Sequence, residues 1–538
     1  MNESFATVLE TVGDLRRNRL AVSHGDRTRT WAELDGRAAR LAGYLAAQGV
    51  GAESRVAVAL YNGIEYLESV FAILKLRAVP VNVNYRYRRD EIVQLLAAAE
   101  AEAVVFDAAL TERFGEAGPF LPRLRALVQV GGSDHVPAWA ADYEQAVNTA
   151  EPAPRTERGN DHWLMYTGGT TGRPKGVLSR HSGLFATCSA NGLLLLGEPF
   201  PHTLEELRAT LERFGPDRDP MVCLPAPPLM HATGMYTTFG ALLAGGRVVY
   251  LKSRSYDADE LAATVQRERV DTVSIVGDVF ARPLADALDA AEAIGRPYDL
   301  SSLRRVISAG VTWSAEVKQR LLRHADMVCR DLVASSEGGP FAVQETRRGE
   351  STETARFQLF PGARVIDDAG RPIPPGSGEI GLLAAPVDEY IRYQGDAEAT
   401  ATIFREVGGQ RWVVPGDMAG LEADGTVVFH GRGSRVINTG GEKVFAEEVE
   451  QVLLTHPAVQ DAMVVGAPDE RWGSRIVAIV SLRPGAELTQ AEASAHVGEH
   501  LADHKRPRQL VVVGRLERSP SGKADLTWAH GIASAGPT

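Results

Sequence analysis

The sequence predicts an α/β protein: a large N-terminal domain of layered α/β lobes with an added β-rich lobe, then a small α+β domain. Three observations predict it. Short apolar runs alternate with amphipathic stretches through most of the chain. The texture changes near residue 360 to short strands broken by Gly and Pro. A glycine-containing link, HGRGSRVINTGG (430–441), then leads into roughly a hundred residues with a strand and helix pattern of their own. The chain therefore divides into residues 1–431 and 432–538.

Taken in order, DGRAARLAGYLAAQG (35–49) reads as a helix, because its apolar residues recur at helical spacing on one face. RVAVAL (55–60) reads as a buried strand and RDEIVQLLAAAEA (89–101) as the next helix. AVVFD (103–107), ALVQV (126–130) and TVSIVG (272–277) are continuous apolar runs of strand length, as expected of parallel strands covered on both faces. RVIDDAGRPIPPGSGEIGLL (364–383) is dense in turn residues and belongs to the β-rich lobe. In the small domain EEVEQVLLTHP reads as a helix and DAMVVGA as a strand.

Composition sets limits on function. At 538 residues the chain is longer than one hydrophobic core supports. Its hydrophobic share of 44% and charged share of 23% are ordinary for a globular protein. A net charge of −12 provides no basic field for nucleic acid or anionic lipid. Three cysteines without CxxC spacing (Cys188, Cys223 and Cys329) argue against a disulfide framework or a structural zinc site. The N-terminus lacks the apolar core of a signal peptide. The longest stretch free of Asp, Glu, Lys and Arg, Pro220 to Gly246, is broken by prolines, glycines and His231. No membrane insertion and a cytoplasmic location are expected; a homodimer is left open.

Fifty of the 57 basic residues are Arg, and Lys stands only at 75, 175, 252, 318, 443, 505 and 523. A chain that uses Arg so widely keeps Lys where a compact, mobile ammonium serves better than a planar fork. Lys175, Lys443 and Lys523 lie in glycine-containing loops, as a functional use of the ammonium predicts, with chance as the competing explanation.

YTGGTTGRPKGV (166–177) is the most informative segment. It lies between two apolar runs, so it is a loop between ordered elements. Gly168, Gly169 and Gly172 allow close approach of the backbone to a ligand. Thr167, Thr170 and Thr171 add hydroxyl donors, and Lys175 adds charge. A nest of this kind suits a triphosphate. It is not a Walker A loop, since Gly176 stands where that loop needs Ser or Thr.

With this loop the chain resembles the adenylate-forming superfamily of acyl-CoA synthetases, peptide-synthetase adenylation domains and luciferases. The likeness also runs through TWAELDGRAARLAGYLAAQGV (30–50), AVPVNVNYRYRRDEI (78–92), PLMHATGM (228–235) and SPSGKADLTWA (519–529), so it covers essentially the whole chain. VNVNYRY, YTGGTTG and INTGGEKVF are similar to the actinobacterial fatty-acyl-CoA-synthetase subgroup.

The resemblance implies ATP, Mg2+ and, less firmly, coenzyme A as the molecules bound, with a small acid as substrate. It places Glu337 of SSEGG (335–339) as the metal-binding carboxylate, Ser336 in the adjoining hydroxyl slot and Ser335 beside the nucleotide. It places Asp417 of PGDM on the ribose hydroxyls and Arg432 of GRGSR on ribose and phosphate. Ser308, Ala309 and Gly310 fall in a segment that adjoins the adenine and acyl pockets. Lys523 of RSPSGKAD would bridge the acid and the α-phosphate during adenylation, and His231 would gate or line the acyl pocket. The small domain would be mobile, turning about Ser434 to bring Gly440 and Gly441 to the pantetheine arm of CoA.

Three departures from the family pattern stand out. Val333 and Ala334 replace an aromatic and a glycine that pack on adenine, a loss worth about 1 kcal/mol. Ser434 replaces a charged hinge residue. Trp313 replaces a smaller aliphatic residue and is expected to shorten or reshape the substrate cavity. The leading expectation is activation of a small or medium acid, aromatic acids included, followed by thioester formation with CoA. The resemblance also admits an enzyme that adenylates nitrite and condenses it with an arylamine. A non-catalytic binding protein is disfavoured by the retained Lys175, Glu337, Asp417, Arg432 and Lys523.

Overall fold

The computed structural model describes residues 3–167, 175–215, 219–388, 390–439, 442–469, 472–519 and 522–534. An eight-stranded sheet carries the first lobe. In it Arg55–Ala59 lies between the parallel strands Val79–Asn82 and Ala103–Asp107, and Ala126–Val130 extends the row. Their side chains alternate between two hydrophobic clusters, one on each face, which is why these runs carry no polar alternation. The helix predicted over 35–49 spans Trp31–Ala47. It starts earlier because Thr30 and Glu33 form a reciprocal capping box. The helix predicted over 89–101 stops at Ala98, and Glu100 turns the chain with φ of 53°.

The second sheet holds the parallel strands Arg247–Tyr250, Val222–Pro225, Thr272–Ile275, Arg305–Ala309 and Val328–Ser335. Val328–Ser335 then pairs antiparallel with Gly338–Thr346, and the ladder continues through Arg356–Leu359, Val427–Arg432, Asp417–Leu421 and Ile380–Pro386. The expected β-rich lobe is thus hydrogen-bonded into the second sheet. The two are joined where Val328–Ser335 changes from parallel to antiparallel neighbours.

Beyond it, Val459–Asp469 and Gly473–Leu482 pair antiparallel, and Gln509–Val513 adds a parallel edge. Helices Ala446–Leu454 and Gln490–His500 cover one face, over a core that includes Val449, Leu453, Ile476 and Val497; helix Leu526–Ser534 covers the other.

Two lysines outside the loops have structural places. Lys75 pairs with Glu10 at 2.7 Å and Asp35 at 2.6 Å, and Lys318 with Asp331 at 2.8 Å and Gln344 at 2.6 Å, both ammonium groups being buried. Trp313 stands where the cleft wall meets the core. It is 0% exposed, packs among Val306, Val317 and Leu321, and lies 5.3 Å from the Lys318 ammonium. With no accessible surface of its own, the ring packs into the core directly behind the cleft wall it helps to form. Among the described residues no helix is long and apolar enough to cross a membrane.

Candidate functional site

A cleft of about 2230 Å³ runs between the two sheets and the small domain. One wall is the antiparallel pair His162–Thr167 and Lys175–Arg180, whose last rung joins Thr167 to Lys175. That rung closes the base of the glycine-rich loop; Gly168, Gly169, Thr170, Thr171 and Gly172 lie outside the described residues. Asn82 anchors this corner. Its amide donates to the carbonyls of Tyr166 at 2.8 Å and Met230 at 2.6 Å, and its oxygen accepts the Tyr166 N–H at 2.7 Å. The buried amide therefore ties the loop's first strand to the turn before His231.

The second wall is the turn between Val328–Ser335 and Gly338–Thr346. Ser335 pairs with Gly338 and donates its hydroxyl to that carbonyl at 3.1 Å, leaving Ser336 and Glu337 at the tip. Gly338 has φ of +153°, and a Cβ there would stand 2.7 Å from Val387, so this turn requires glycine. Glu337 is only 8% exposed. One carboxylate oxygen accepts Ser336 Oγ at 3.1 Å and the other accepts Tyr393 OH at 2.7 Å. The Tyr393 ring in turn faces Lys175 Nζ at 5.1 Å, a cation–π contact. Tyr393 thus links the phosphate-loop lysine to the buried carboxylate.

Asp417 and Arg432 are a cross-strand pair, with Arg432 Nε donating to Asp417 Oδ1 at 3.1 Å. Asp417 is 4% exposed. Burial raises its carboxyl above the ordinary range, while the Arg432 guanidinium pulls it back.

Lys523 reaches the same cleft from the small domain. Its hairpin is closed by Ser519 and Lys523, with Gly522 N–H donating to the Ser519 carbonyl, and by the Arg518–Ala524 bridge. Arg518 braces it by donating to Asp461 at 2.8 and 2.7 Å and to the Gly522 carbonyl at 3.2 Å. On the large domain Arg86 donates to the Arg518 carbonyl at 3.4 Å. The Lys523 side chain opens onto the cleft while protein encloses it on the other sides. Enclosure lowers its pKa and the Arg432 charge adds to the fall; Glu337 and Asp417 oppose it. Contact with the open cleft moderates the effect of enclosure.

His231 stands at the N-cap of helix Ala232–Leu243, with Nε2 buried and without a hydrogen-bond partner among the described residues. Its pKa falls to about 3 through burial, with the nearby positive charges of Lys523 and Arg86 adding to the shift, so the imidazole is neutral at physiological pH. Ala309 and Gly310 line the cleft, and Gly310 lies 3.9 Å from Lys523 Cε, measured from an added Cβ. Ser308 is corrected. It is fully buried, and its hydroxyl accepts the Gly277 N–H at 2.9 Å, so it orders the strand end and does not line the cleft.

Ser434 lies in the single turn Gly433–Arg435; its side chain, with Gly440 and Gly441, is outside the described residues. This turn is held by contacts that local sequence did not reveal. Arg435 donates to Glu447 at 2.9 Å and also to Glu450 and the Val464 carbonyl. Glu447 packs against Gly431, where φ of +95° and the carboxylate itself leave no room for a side chain. Burial pushes the Glu447 carboxyl from 4.5 up to about 7; Arg435 opposes this and Glu450 adds to it. A folded-state value above the unfolded one means that the folded protein holds this proton more tightly. Its contribution is therefore present at low pH and lost as pH rises from about 4.5 to about 7. Glu447→Gln is expected to gain stability relative to the parent as pH goes from about 5 to about 7 in thermal melts. A flat difference would count against a strained carboxylate here.

Asn82, Tyr393, Arg518 and Glu447 are the residues that reading the sequence missed. Asn82 sits inside the quoted VNVNYRY motif, and Arg518 and Glu447 open the quoted RSPSGKAD and EEVEQVLLTHP, but none of these segments shows what the residue touches. Tyr393, Arg518 and Glu447 act through partners distant in sequence or through a turn seen only when folded.

The AMP-binding enzyme family model matches residues 9–383, and the AMP-binding enzyme C-terminal domain model matches residues 448–523. The chain is similar to the medium-chain acyl-CoA ligase Mig of Mycobacterium avium, with 38% identity over 95% of each chain. It is 35% identical to the 3-oxocholest-4-en-26-oate–CoA ligase of Rhodococcus rhodochrous, over 98% of this chain and 95% of that one. Among solved structures, the anthranilate CoA ligase AuaEII in complex with anthranoyl-AMP aligns with a TM-score of 0.82 at 22% identity, over 99% of this chain and 98% of that one.

Proposed function

The chain belongs to the AMP-binding enzyme family, and from that premise we propose that it is an ATP-dependent acid–CoA ligase acting on apolar acids of medium length. The observation that carries the proposal is Lys523 of the small domain. It enters a cleft that also presents Glu337, Asp417 and Arg432 from the large one. Two anionic and two cationic groups around one space suit a substrate that is a magnesium-bound polyphosphate meeting a carboxylate.

Asp417 accepts the ribose hydroxyls, with Arg432 holding the carboxylate in place. Glu337 and Ser336 supply the hard oxygen donors that Mg2+ prefers, and the buried carboxylate of Glu337 fits that ion. When bound, Mg2+ neutralises phosphate charge. The Lys523 ammonium pairs with the acid's carboxylate and then with the α-phosphate as negative charge moves between them, and pyrophosphate leaves. Neutral His231 lines the cleft and adds no charge beside the acid. After adenylation the small domain turns near Ser434, and CoA attacks the acyl-adenylate. Gly440 and Gly441 are proposed to flank its pantetheine arm. The activities named for the two relatives are thioester-forming, which favours CoA over nitrite and an arylamine.

The acid's class follows from helix His181–Ala190, which lines the cleft through Gly183, Ala186, Thr187 and Ala190. Thr187 donates its hydroxyl to the Gly183 carbonyl at 3.1 Å, and Asn191 its amide to the Thr187 carbonyl at 2.9 Å. With those polar groups turned back on the helix, the wall offers a ligand mainly apolar surface. From Gly183 to Ala190 it is about 10 Å long.

The test is a panel of acids with ATP and Mg2+, with and without CoA. AMP, pyrophosphate and acyl-CoA are expected in equal amounts with medium-length apolar acids. AMP formed only with nitrite plus an aromatic amine would overturn the reading. A side chain added at Gly183 meets no atom within 4 Å, so it would project into the groove. Gly183→Phe is expected to lower kcat/KM for ten-carbon acids by about ten-fold or more, while shorter acids lose less. An unchanged chain-length profile would remove this helix from the acid site.

A further inference from the structure

The small domain carries three metal-ligating side chains that the ligase reaction does not use. His496, Glu499 and His500 occupy the last turn of helix Gln490–His500, and one ligand atom of each lies within 4.8 Å of the others. Positions i, i+3 and i+4 share one helical face, so the helix itself aligns them. The backbone dipole at a helix C-terminus also favours a cation.

The tautomer of His496 can be assigned from its neighbours. Thr455 donates its hydroxyl hydrogen to the Val452 carbonyl at 2.7 Å. His496 Nε2 lies 2.9 Å from that same hydroxyl oxygen and 3.1 Å from the Val452 carbonyl. Both neighbours therefore act as acceptors and Nε2 must carry the proton, which leaves the Nδ1 lone pair free. A histidine held at one nitrogen by a backbone carbonyl while the other stays open is how ligating imidazoles are oriented. His456 packs edge-on against His496 with ring centres 5.0 Å apart. Its own Nδ1 accepts the Ala458 N–H at 3.2 Å, so it stands outside the donor set.

We propose that His496 Nδ1, Glu499 and His500 form a surface site for a divalent transition ion of the zinc, cobalt, nickel or copper class. Two imidazoles and one carboxylate select such ions over Mg2+ and Ca2+, which prefer all-oxygen shells. Glu499 and His500 are exposed and give the ion a direct path in. Occupancy ties the end of this helix, through His496, to the Val452–Thr455 turn that ends helix Ala446–Leu454.

The experiment uses the full untagged chain, stripped with chelator, in a Glu337→Gln background that weakens binding in the cleft. Zn2+ is titrated by calorimetry with Mg2+ in excess. One equivalent is expected, with the dissociation constant rising about ten-fold or more in His496→Ala and in His500→Ala. His500→Ala in the otherwise unchanged chain is expected to keep its adenylation rate, which also shows that it folds. Zn2+ affinity that is the same in both histidine variants, or binding that excess Mg2+ abolishes, would overturn the site.

Discussion

Lys523→Ala is expected to slow adenylate formation by about a thousand-fold while leaving thioester formation from supplied acyl-adenylate largely intact. The asymmetry follows from where the side chain sits. In this structure it lines one cleft with Glu337, Asp417 and Arg432, near enough for their charges to act on it, on a hairpin braced by Arg518 and by the Arg86 contact. Only the first half-reaction needs a cation between a carboxylate and a phosphate. On the proposed turn of the small domain the lysine would leave the cleft, so its loss is not expected to slow the second step. Lys523→Arg is not expected to rescue the rate, because a planar guanidinium cannot follow charge moving between two partners as a compact ammonium does. Exchange of labelled pyrophosphate into ATP measures the first step, and CoA consumption with synthetic acyl-adenylate measures the second. Equal loss in both would show that Lys523 supports the fold and not the first transition state.

Glu337→Gln is the second large effect, with a loss of about a hundred-fold or more in pyrophosphate exchange and a raised Mg2+ requirement. The substitution preserves shape and removes only charge, so the turn at Ser335–Gly338 should stand. Tyr393→Phe tests the same carboxylate more gently. It deletes the 2.7 Å hydrogen bond but keeps the ring beneath Lys175. Its expected result is a higher Mg2+ concentration for half-maximal exchange, with little change at saturation. Mg2+ dependence identical to that of the parent in both variants would remove Glu337 from the metal site.

Much of the architecture was readable in advance because its causes are local. Ala103–Asp107 and Ala126–Val130 fall on the predicted residues, since a run of apolar residues the length of a strand has few other uses. Errors at helix ends also had local causes: a capping box that begins one helix early and a positive φ that closes another. The β-rich lobe was foreseen from its turn residues, but its continuity with the second sheet was not. Hydrogen bonding between Gly338–Thr346 and Arg356–Leu359 depends on register, which composition does not carry.

For the site, family likeness identified Lys175, Glu337, Asp417, Arg432 and Lys523, and the fold brings them around one cleft. It misplaced Ser308, because a strand end offers two faces and only packing shows which one is buried. Tyr393 was invisible, since its hydroxyl meets a carboxylate 56 residues away.

The amino-acid sequence alone therefore determined which elements form and which residue types gather, because periodicity, capping and turn chemistry act between neighbours in the chain. Only the tertiary structure decided which of those residues face the cleft, that Tyr393 ties Lys175 to Glu337, that Glu447 packs beneath Gly431, and which nitrogen of His496 is free. Each of these depends on groups distant in sequence being desolvated together, and that arises only when the layers close.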